Sequence, residues 1–483
     1  MFPDLIPLGD DLATVACDAL VIGAQREEAG GLTSRGLDAL APDLGRDLHT
    51  FLDATGFDAS LGEVRMIATL GRIPAPALVL VGLGARGELS ARGLRTALHD
   101  AGAGLTGAPR VASAVHLELE DDALRAASAT GLLLGLSRRG EGSTASVGFA
   151  GTADAITGAE ITARAIDLVR RLVNEPPHSL NPAGLAERAR EIASDTALEC
   201  TVWGTEELEQ RGFGGLLAVA RGSEQEPHLI RLSYRPEQPT RRIALAGKGV
   251  TFDAGGVNLK LDRDGLTYMK FDMAGGATVI GAMTALASLG VRAQVDAIVP
   301  VAANLLGPRA TLPGEVIRQF GGTTTEVTDT DSEGRLLLGD ALAYASALGA
   351  DIIVDVATLT ETTERALGPE ITGIYANDDA LAVELVAAGE RAGEPMWQLP
   401  LFQPYAQLLR SAVADVRNQS LADGFLGGGI KASLFLERFV GEGISWAHLD
   451  IAGTAYERNF TDPTAGGATG VPTGTLLEWL KGQ

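Results

Sequence analysis

Cysteine is nearly absent: Cys17 and Cys200 are the only two in 483 residues. That scarcity argues against a disulfide framework and suits a reducing compartment. Positive charge is also scarce. The 39 lysines and arginines face 62 aspartates and glutamates, for a formal charge of −23, which disfavours nucleic acid and anionic membrane as partners. No uninterrupted apolar stretch reaches membrane-spanning length, and the opening MFPDLIPLGDD lacks the basic and apolar regions of a secretory signal. The chain is therefore expected in the cytoplasm, with no membrane association. An HExxH motif is missing too. With the two cysteines far apart, a zinc site built on His or Cys is disfavoured.

What is present is ordinary globular material: 46% apolar and 21% charged residues, over a length that predicts two or more domains. The 61 glycines raise the loop content without any collagen-like period. Residues 1–150 alternate strand-like segments (19–24, 64–70, 77–83, 115–119) with helix-like ones (94–105, 123–136). This alternation predicts a small α/β domain. The glycine-rich VGLGARGE at 81–88 lacks full GxGxxG spacing and reads as a strand-to-helix turn. Helical periodicity over 157–173 stops at Asn174-Glu175-Pro176-Pro177. A domain boundary is expected near 150, with this helix as the connector into a larger α/β domain over 151–483. There, helices over 183–194, 276–289 and 339–348 alternate with strands over 198–203, 229–234, 243–246, 295–301 and 351–357. That order predicts a mostly parallel sheet covered on both faces, with ligands at the carboxyl ends of its strands.

Two charged stretches lie at that end. The first, from Gly247 to Asp272, follows an apolar strand and carries Lys248, Asp253, Lys260, Lys270 and Asp272 among five glycines. Glycines suit a loop folded tightly around something small. Alone, the stretch reads equally well as a solvated loop with salt bridges. The second, Asp-Thr-Asp-Ser-Glu-Gly-Arg over 329–335, runs into Leu336-Leu337-Leu338. In extended backbone Asp331 and Glu333 project to one side. Four carboxylates (Asp253, Asp272, Asp331, Glu333) can share a small volume only if cations neutralise them. Oxygen-rich sites suit hard or borderline divalent ions, two of which can share bridging carboxylates.

GKGVTFDAGG with the lysine and MKFDM beyond it, followed by TDSEGRL, closely resembles the leucyl aminopeptidase family, the two-metal M17 peptidases. The resemblance continues through RRLVNEPPHSLNP (170–182), GFGGLLAVARGS (212–223), VDVATLT (354–360), SAVADVRN (411–418) and WAHLDIAG (446–453). It covers most of the chain after about residue 165; the N-terminal third matches in general layout only. It implies a metal-dependent aminopeptidase that removes the N-terminal residue of peptides with a hydroxide activated by two metals. The implied cofactors are two divalent ions per subunit, Zn or Mn, with Mg or Co as alternatives at one site. By resemblance Asp253 and Glu333 bridge them, Asp331 completes one site, and Lys248 with Asp272 completes the other. A lysine must lose its proton to coordinate, which requires a strongly depressed pKa. Lys260 is implied to stabilise the oxyanion, and Arg335 to anchor a bicarbonate that shuttles protons. The pocket for the N-terminal side chain is implied at Met269, Thr358, Leu359, Glu361, Ala452 and Ala455. Peptides with a free N-terminus are the implied substrates and a homohexamer the implied assembly. The N-terminal domain is implied to regulate or assemble, without catalytic residues.

Some positions depart from the family pattern. LDRDG replaces a Pro-Ser-type loop, Asp329 stands where asparagine is usual, Glu361 replaces a glycine, and Ala455 replaces a bulkier methionine. A carboxylate at Glu361 would favour cationic substrate side chains. Equally, it would suit a helix N-terminus facing solvent, with Glu364 one turn later on the same solvated face. His448, within an apolar strand, reads as a core histidine. His178 sits in a turn, and Asp450 reads as a structural cap. Two other classes compete with the peptidase reading. A two-metal phosphoesterase also clusters carboxylates, but a phosphate site would want more Arg and Lys. A scaffold has no reason to keep four carboxylates and two lysines together.

Overall fold

The computed structural model describes all residues except 1, 10, 28–30, 46–47, 106, 138–144, 151–152, 197, 421–425 and 459–465. The chain forms two compact α/β units, Met1–Asp167 with Glu390–Gly393, and Leu168–Gly389 with Glu394–Gln483. The division falls inside the helix Ala153–Asn174, later than the boundary expected near 150. Part of that expected boundary, residues 151–152, lies outside the described residues.

In the first unit the strands run in the order Asp4–Pro7, Ser146–Phe149, Arg110–Ser113, Ala19–Arg26, Ala77–Ala85, Val64–Ala68. All of these neighbours are parallel except the last pair. The expected strand over 115–119 is not one. Arg110–Ser113 is the strand, in register with Ala19–Val21, and Val115–Glu118 curls into a 3-10 turn. Its alternating apolar pattern misled because the turn is itself core: Val115, His116 and Leu119 are all buried. The glycine-rich 81–88 segment leads, as expected, from the strand Ala77–Ala85 through a short turn to the helix Ala91–Ala103.

The second unit is built on a sheet ordered Met396–Gln398, Thr372–Ala376, Ser445–Asp450, Ile352–Ala357, Arg242–Gly247, Gln294–Asn304, His228–Tyr234, Glu199–Trp203. Its centre is parallel: Ser445–Asp450, Ile352–Ala357, Arg242–Gly247 and Gln294–Asn304 all point the same way. The strand Arg242–Gly247, apolar and buried after Arg242, lies between two of them. Antiparallel pairing lies toward the edges, as between His228–Tyr234 and Gln294–Asn304. Buried helices cover this sheet. Ala274–Ala285 is buried at nearly every position, and so is the first half of Gly334–Ala347. The latter helix begins five residues earlier than the expected 339–348, so Leu336–Leu338 belong to it. A helix buried all round has no polar face, so periodicity could not mark its start. Gly249–Asp253, expected as loop, is a short strand paired with the end of Gln294–Asn304.

The first unit holds a buried pH-sensitive group. His116 packs edge-on against Phe149, and neither ring nitrogen has a hydrogen-bond partner. Burial pulls its pKa from 6.5 down to about 4, with Arg125 adding to the effect. The folded state therefore keeps it neutral, and its contribution is complete above pH 6.5 and lost as pH falls through about 4. That loss amounts to about 3 kcal/mol at most. His116→Leu is expected to flatten the stability of this unit across that window. Urea titrations from pH 7 to pH 4 check it, and an unchanged slope in the variant would contradict it.

Candidate metal centre

The carboxyl ends of the parallel strands supply the charged groups. Lys248 follows directly on the central strand, its N–H donating to Val356 O at 3.1 Å and its carbonyl accepting from Gly276 N at 2.7 Å. Asp253 ends the next short strand, and Asn304 ends the strand beside it. Asp272 sits in the 3-10 segment Met269–Met273. Asp331 lies in a turn, and Glu333 caps the helix Gly334–Ala347 with helical backbone angles. The pair therefore converges through a turn into a helix, and the extended backbone expected for it is not what brings the carboxylates together.

Two glycines make the approach possible. Gly255 has a φ of +89°, and a Cβ there would stand 2.4 Å from Asn258 O and 2.7 Å from Asp331 Oδ1. At Gly334 a Cβ would meet the end of the Lys248 side chain at 2.8–2.9 Å.

The resulting cluster is buried and densely charged. Asp253, Asp331 and Glu333 each bring an oxygen within 4.8 Å of the others. Asp272 joins through Lys248, whose Nζ lies 2.8 Å from Asp272 Oδ1 and 2.7 Å from Glu333 Oε1. Lys260 Nζ lies 2.8 Å from Asp253 Oδ2 and 2.6 Å from Asp331 Oδ1. Burial opposes charge on Lys248, but Asp272 and Glu333 outweigh it and hold the ammonium above the ordinary lysine range. Lys260 is held high in the same way, chiefly by Asp253. The depressed lysine pKa expected for coordination is thus not a property of the protein groups alone. On the acid side, burial pushes Asp331 up to about 7, with Asp253 adding to the effect. Burial also raises Asp272 and Glu333. Two ammonium groups cannot fully compensate four carboxylates. Asp272 Oδ2 and Glu333 Oε2 remain buried without a hydrogen-bond partner. Unpartnered, inward-facing carboxylate oxygens beside a three-carboxylate cluster fit divalent cations.

Polar neighbours orient these carboxylates, among them Asn304, which the sequence did not single out, and Thr358, expected only in the substrate pocket. Asn304 Nδ2 donates to Asp253 Oδ1 at 2.8 Å and to Thr330 O at 3.0 Å. Thr358 Oγ1 donates to Asp272 Oδ1 at 2.7 Å. Asp329, which stands where asparagine is usual and whose charge acts on the neighbouring Arg335, also shapes the turn. Its Oδ1 accepts from Asp331 N at 3.0 Å and its Oδ2 from Ser332 Oγ at 2.9 Å.

Arg335, in the first turn of its helix, is buried at 3% exposure. One guanidinium nitrogen donates to Asn418 O at 2.6 Å, while Nε has no partner. Burial brings its pKa down to about 10, against the opposing pull of Asp329 and Glu333. It lines a cleft of about 610 Å3 together with Lys248, Asp253, Lys260, Asp272 and Glu333.

Met269, Thr358, Leu359 and Ala452 also line this cleft. Ala455, expected in the pocket, is not among its described lining residues and is buried at 2% exposure. Glu361 also lines the cleft but is mostly exposed. It opens the helix Glu361–Leu367 behind the cap Thr360 and binds Arg365 at 2.6 Å, with 67% of its side chain exposed. Glu364 departs from the solvated face expected of it: it is partly buried in the cleft wall, 3.4 Å from Arg458, and burial raises its pKa. Asp450 is a structural cap, as expected, accepting from Leu359 N, Thr360 N, Thr360 Oγ1 and Ala452 N. His448 is fully buried, with Nδ1 2.6 Å from Asp355 Oδ1, as a core histidine should be. His178 is exposed and lies outside the described lining of the cleft.

Comparison with known proteins agrees with this geometry. Residues 167–477 match the catalytic domain of the cytosol aminopeptidase family, and residues 21–140 match that family's N-terminal domain. Probable cytosol aminopeptidases of Geotalea uraniireducens and Geobacter sulfurreducens are each 39% identical. The first alignment covers 98% of this chain and 99% of the relative, and the second covers 98% of each. Among solved structures, the bottromycin maturation enzyme BotP in complex with Mn is 36% identical with a TM-score of 0.85, over 97% of this chain and 99% of that one. A tomato leucine aminopeptidase mutant is 31% identical with a TM-score of 0.86, over 100% and 97%. The chain belongs to the cytosol aminopeptidase family, the M17 peptidases, and is an aminopeptidase hydrolase.

Proposed function

We propose that the cluster holds two divalent ions and hydrolyses the N-terminal peptide bond of substrates with a free amino terminus. The observation that carries this reading is the pair of buried, unpartnered oxygens on Asp272 and Glu333, beside an Asp253–Asp331–Glu333 cluster. Asp253 and Glu333 are read as shared ligands, Asp331 as completing one site, and Lys248 with Asp272 as completing the other. Zn or Mn, with Mg or Co as alternatives at one site, suit this oxygen-rich set. When bound, such ions supply Lewis acidity and a water acidified toward neutral pH.

The protein groups do the rest. Lys260 keeps 20% of its side chain exposed while Lys248 keeps 4%, which supports reading Lys260 as the cation facing the scissile carbonyl and its developing oxyanion. Arg335, a planar donor set with an unpartnered Nε inside the cleft, suits a planar anion such as bicarbonate, which would carry the proton. Met269, Thr358, Leu359 and Ala452 are read as the walls for the N-terminal side chain. Cytoplasmic location and a homohexamer are read from the family likeness. Among the described residues no helix is long and apolar enough to cross a membrane.

A panel of aminoacyl-anilides, assayed with and without chelator and after Mn or Zn is restored, tests the activity. Turnover should vanish with chelator and return with metal; full turnover in chelator would contradict the reading. Glu333→Gln should lower the content of both ions and collapse activity while the fold persists. Lys260→Ala should lower kcat by roughly 10²–10³ with metal content intact, and a parallel loss of metal would make Lys260 a ligand. Because Glu361 is exposed and already paired, Glu361→Gly should leave the Lys-to-Leu ratio of kcat/KM within about twofold. A larger change would put its carboxylate in the pocket.

A further inference from the structure

Arg335 and the turn that leads into Glu333 share one partner, to which the sequence pointed only as part of a longer motif. Asn418 is 0% exposed. Its side-chain oxygen accepts from Thr328 N at 2.8 Å and Asp329 N at 3.3 Å, and from Thr328 Oγ1 at 3.2 Å. Its amide nitrogen donates to Asp329 O at 2.6 Å and Ser332 O at 3.2 Å. Both ends of the amide are thus spent on the five residues that lead into Glu333. The backbone of the same residue faces the other way. Asn418 N donates to Glu326 O at 3.0 Å, and Asn418 O accepts from Arg335 at 2.6 Å. That carbonyl supplies the hydrogen bond that orients the buried guanidinium.

A loop held only by its own turn would leave two things free: the height of Asp331 and Glu333 over the strand ends, and the direction of Arg335. The Asn418 amide fixes the first by bonding four backbone groups of the loop in one fork, and the carbonyl of the same residue, held in place by that fork, bonds Arg335 and fixes the second. No charged residue could do this beside four carboxylates. An aspartate would set an acceptor against Asp329 O and Ser332 O, and would add negative charge to an uncompensated cluster. We propose that Asn418 is a positioning residue that sets the metal-ligand turn and the Arg335 anion site in one register. This inference rests on the two-metal reading given above.

The test uses the full chain and two variants, Asn418→Asp, which keeps the shape, and Asn418→Ala. Metal-free protein is titrated with Mn, and kcat and KM are measured on Leu-anilide for fully loaded protein. Thermal unfolding and circular dichroism report the fold. Both variants should bind Mn about 10–100-fold more weakly, or lose kcat by that factor at full loading, with KM changed much less. The deficit should also be strongly non-additive with Arg335→Met, since both changes disturb one unit. A role in stability alone predicts a lower melting temperature with wild-type kcat and Mn affinity in the folded fraction, and that result would overturn the proposal, as would simple additivity. If wild-type protein binds Mn but turns over no anilide, the peptidase reading fails, while the Mn titration still decides the role of Asn418 toward the metal turn.

Discussion

Uncompensated negative charge, buried at the ends of four parallel strands, is the constraint on which the catalytic unit depends. Asp253, Asp272 and Glu333 are each at least 96% buried by residue, and Asp331 stands beside them. Taking such groups out of water costs several kcal/mol apiece unless cations and hydrogen bonds replace the solvent. Lys248 and Lys260 replace part of it. The remainder explains why Asp331 and Asp272 resist ionisation, and why oxygens of Asp272 and Glu333 stand without partners. A fold that spent this much only on stability would do better with apolar residues of the same volume. Binding divalent ions is the function that makes the arrangement reasonable.

The surrounding architecture serves to bring distant charges together and to hold them there. Parallel strands deliver Lys248 and Asp253 to one edge. A helix buried on nearly all sides delivers Glu333 at its start and Arg335 in its first turn. Neutral polar groups, chiefly Asn304, Thr358 and Asn418, then set the directions of the carboxylates and the guanidinium without adding charge. Asp329, despite its charge, spends both oxygens on the turn that presents Asp331.

Much of this was legible in the sequence, for identifiable reasons. Apolar runs bounded by glycine and proline marked the central strands, and motifs dense in charge marked the site. Lys248 as a ligand candidate came only from family resemblance, because general metal chemistry does not suggest a lysine. Other features were hidden for physical reasons. Gly249–Asp253 pairs as a strand because its partner supplies the hydrogen bonds, although its glycine-rich neighbourhood reads as loop. Leu336–Leu338 gave no helical period because the first half of the helix is buried on every side. Val115–Leu119 imitated a strand because a buried turn can alternate as a strand does. Glu361 and Glu364 were indistinguishable on paper, and both line the cleft, yet Glu361 is mostly exposed beside Arg365 while Glu364 is partly buried beside Arg458. Asn304 and Asn418 are single polar residues 51 and 83 positions from the side chains they serve, and no local pattern reveals a contact at that range.

The central claim is that this cluster of four carboxylates and two lysines is built for two divalent ions. Stoichiometry tests it most directly. Chelator-treated protein titrated with Mn, with bound metal counted per chain by calorimetry and elemental analysis, should saturate at two ions. The Asp272→Asn variant should saturate at one, since Asp272 serves a single site in this account. Saturation of the native chain at one ion or none, or loss of both ions in Asp272→Asn, would contradict it.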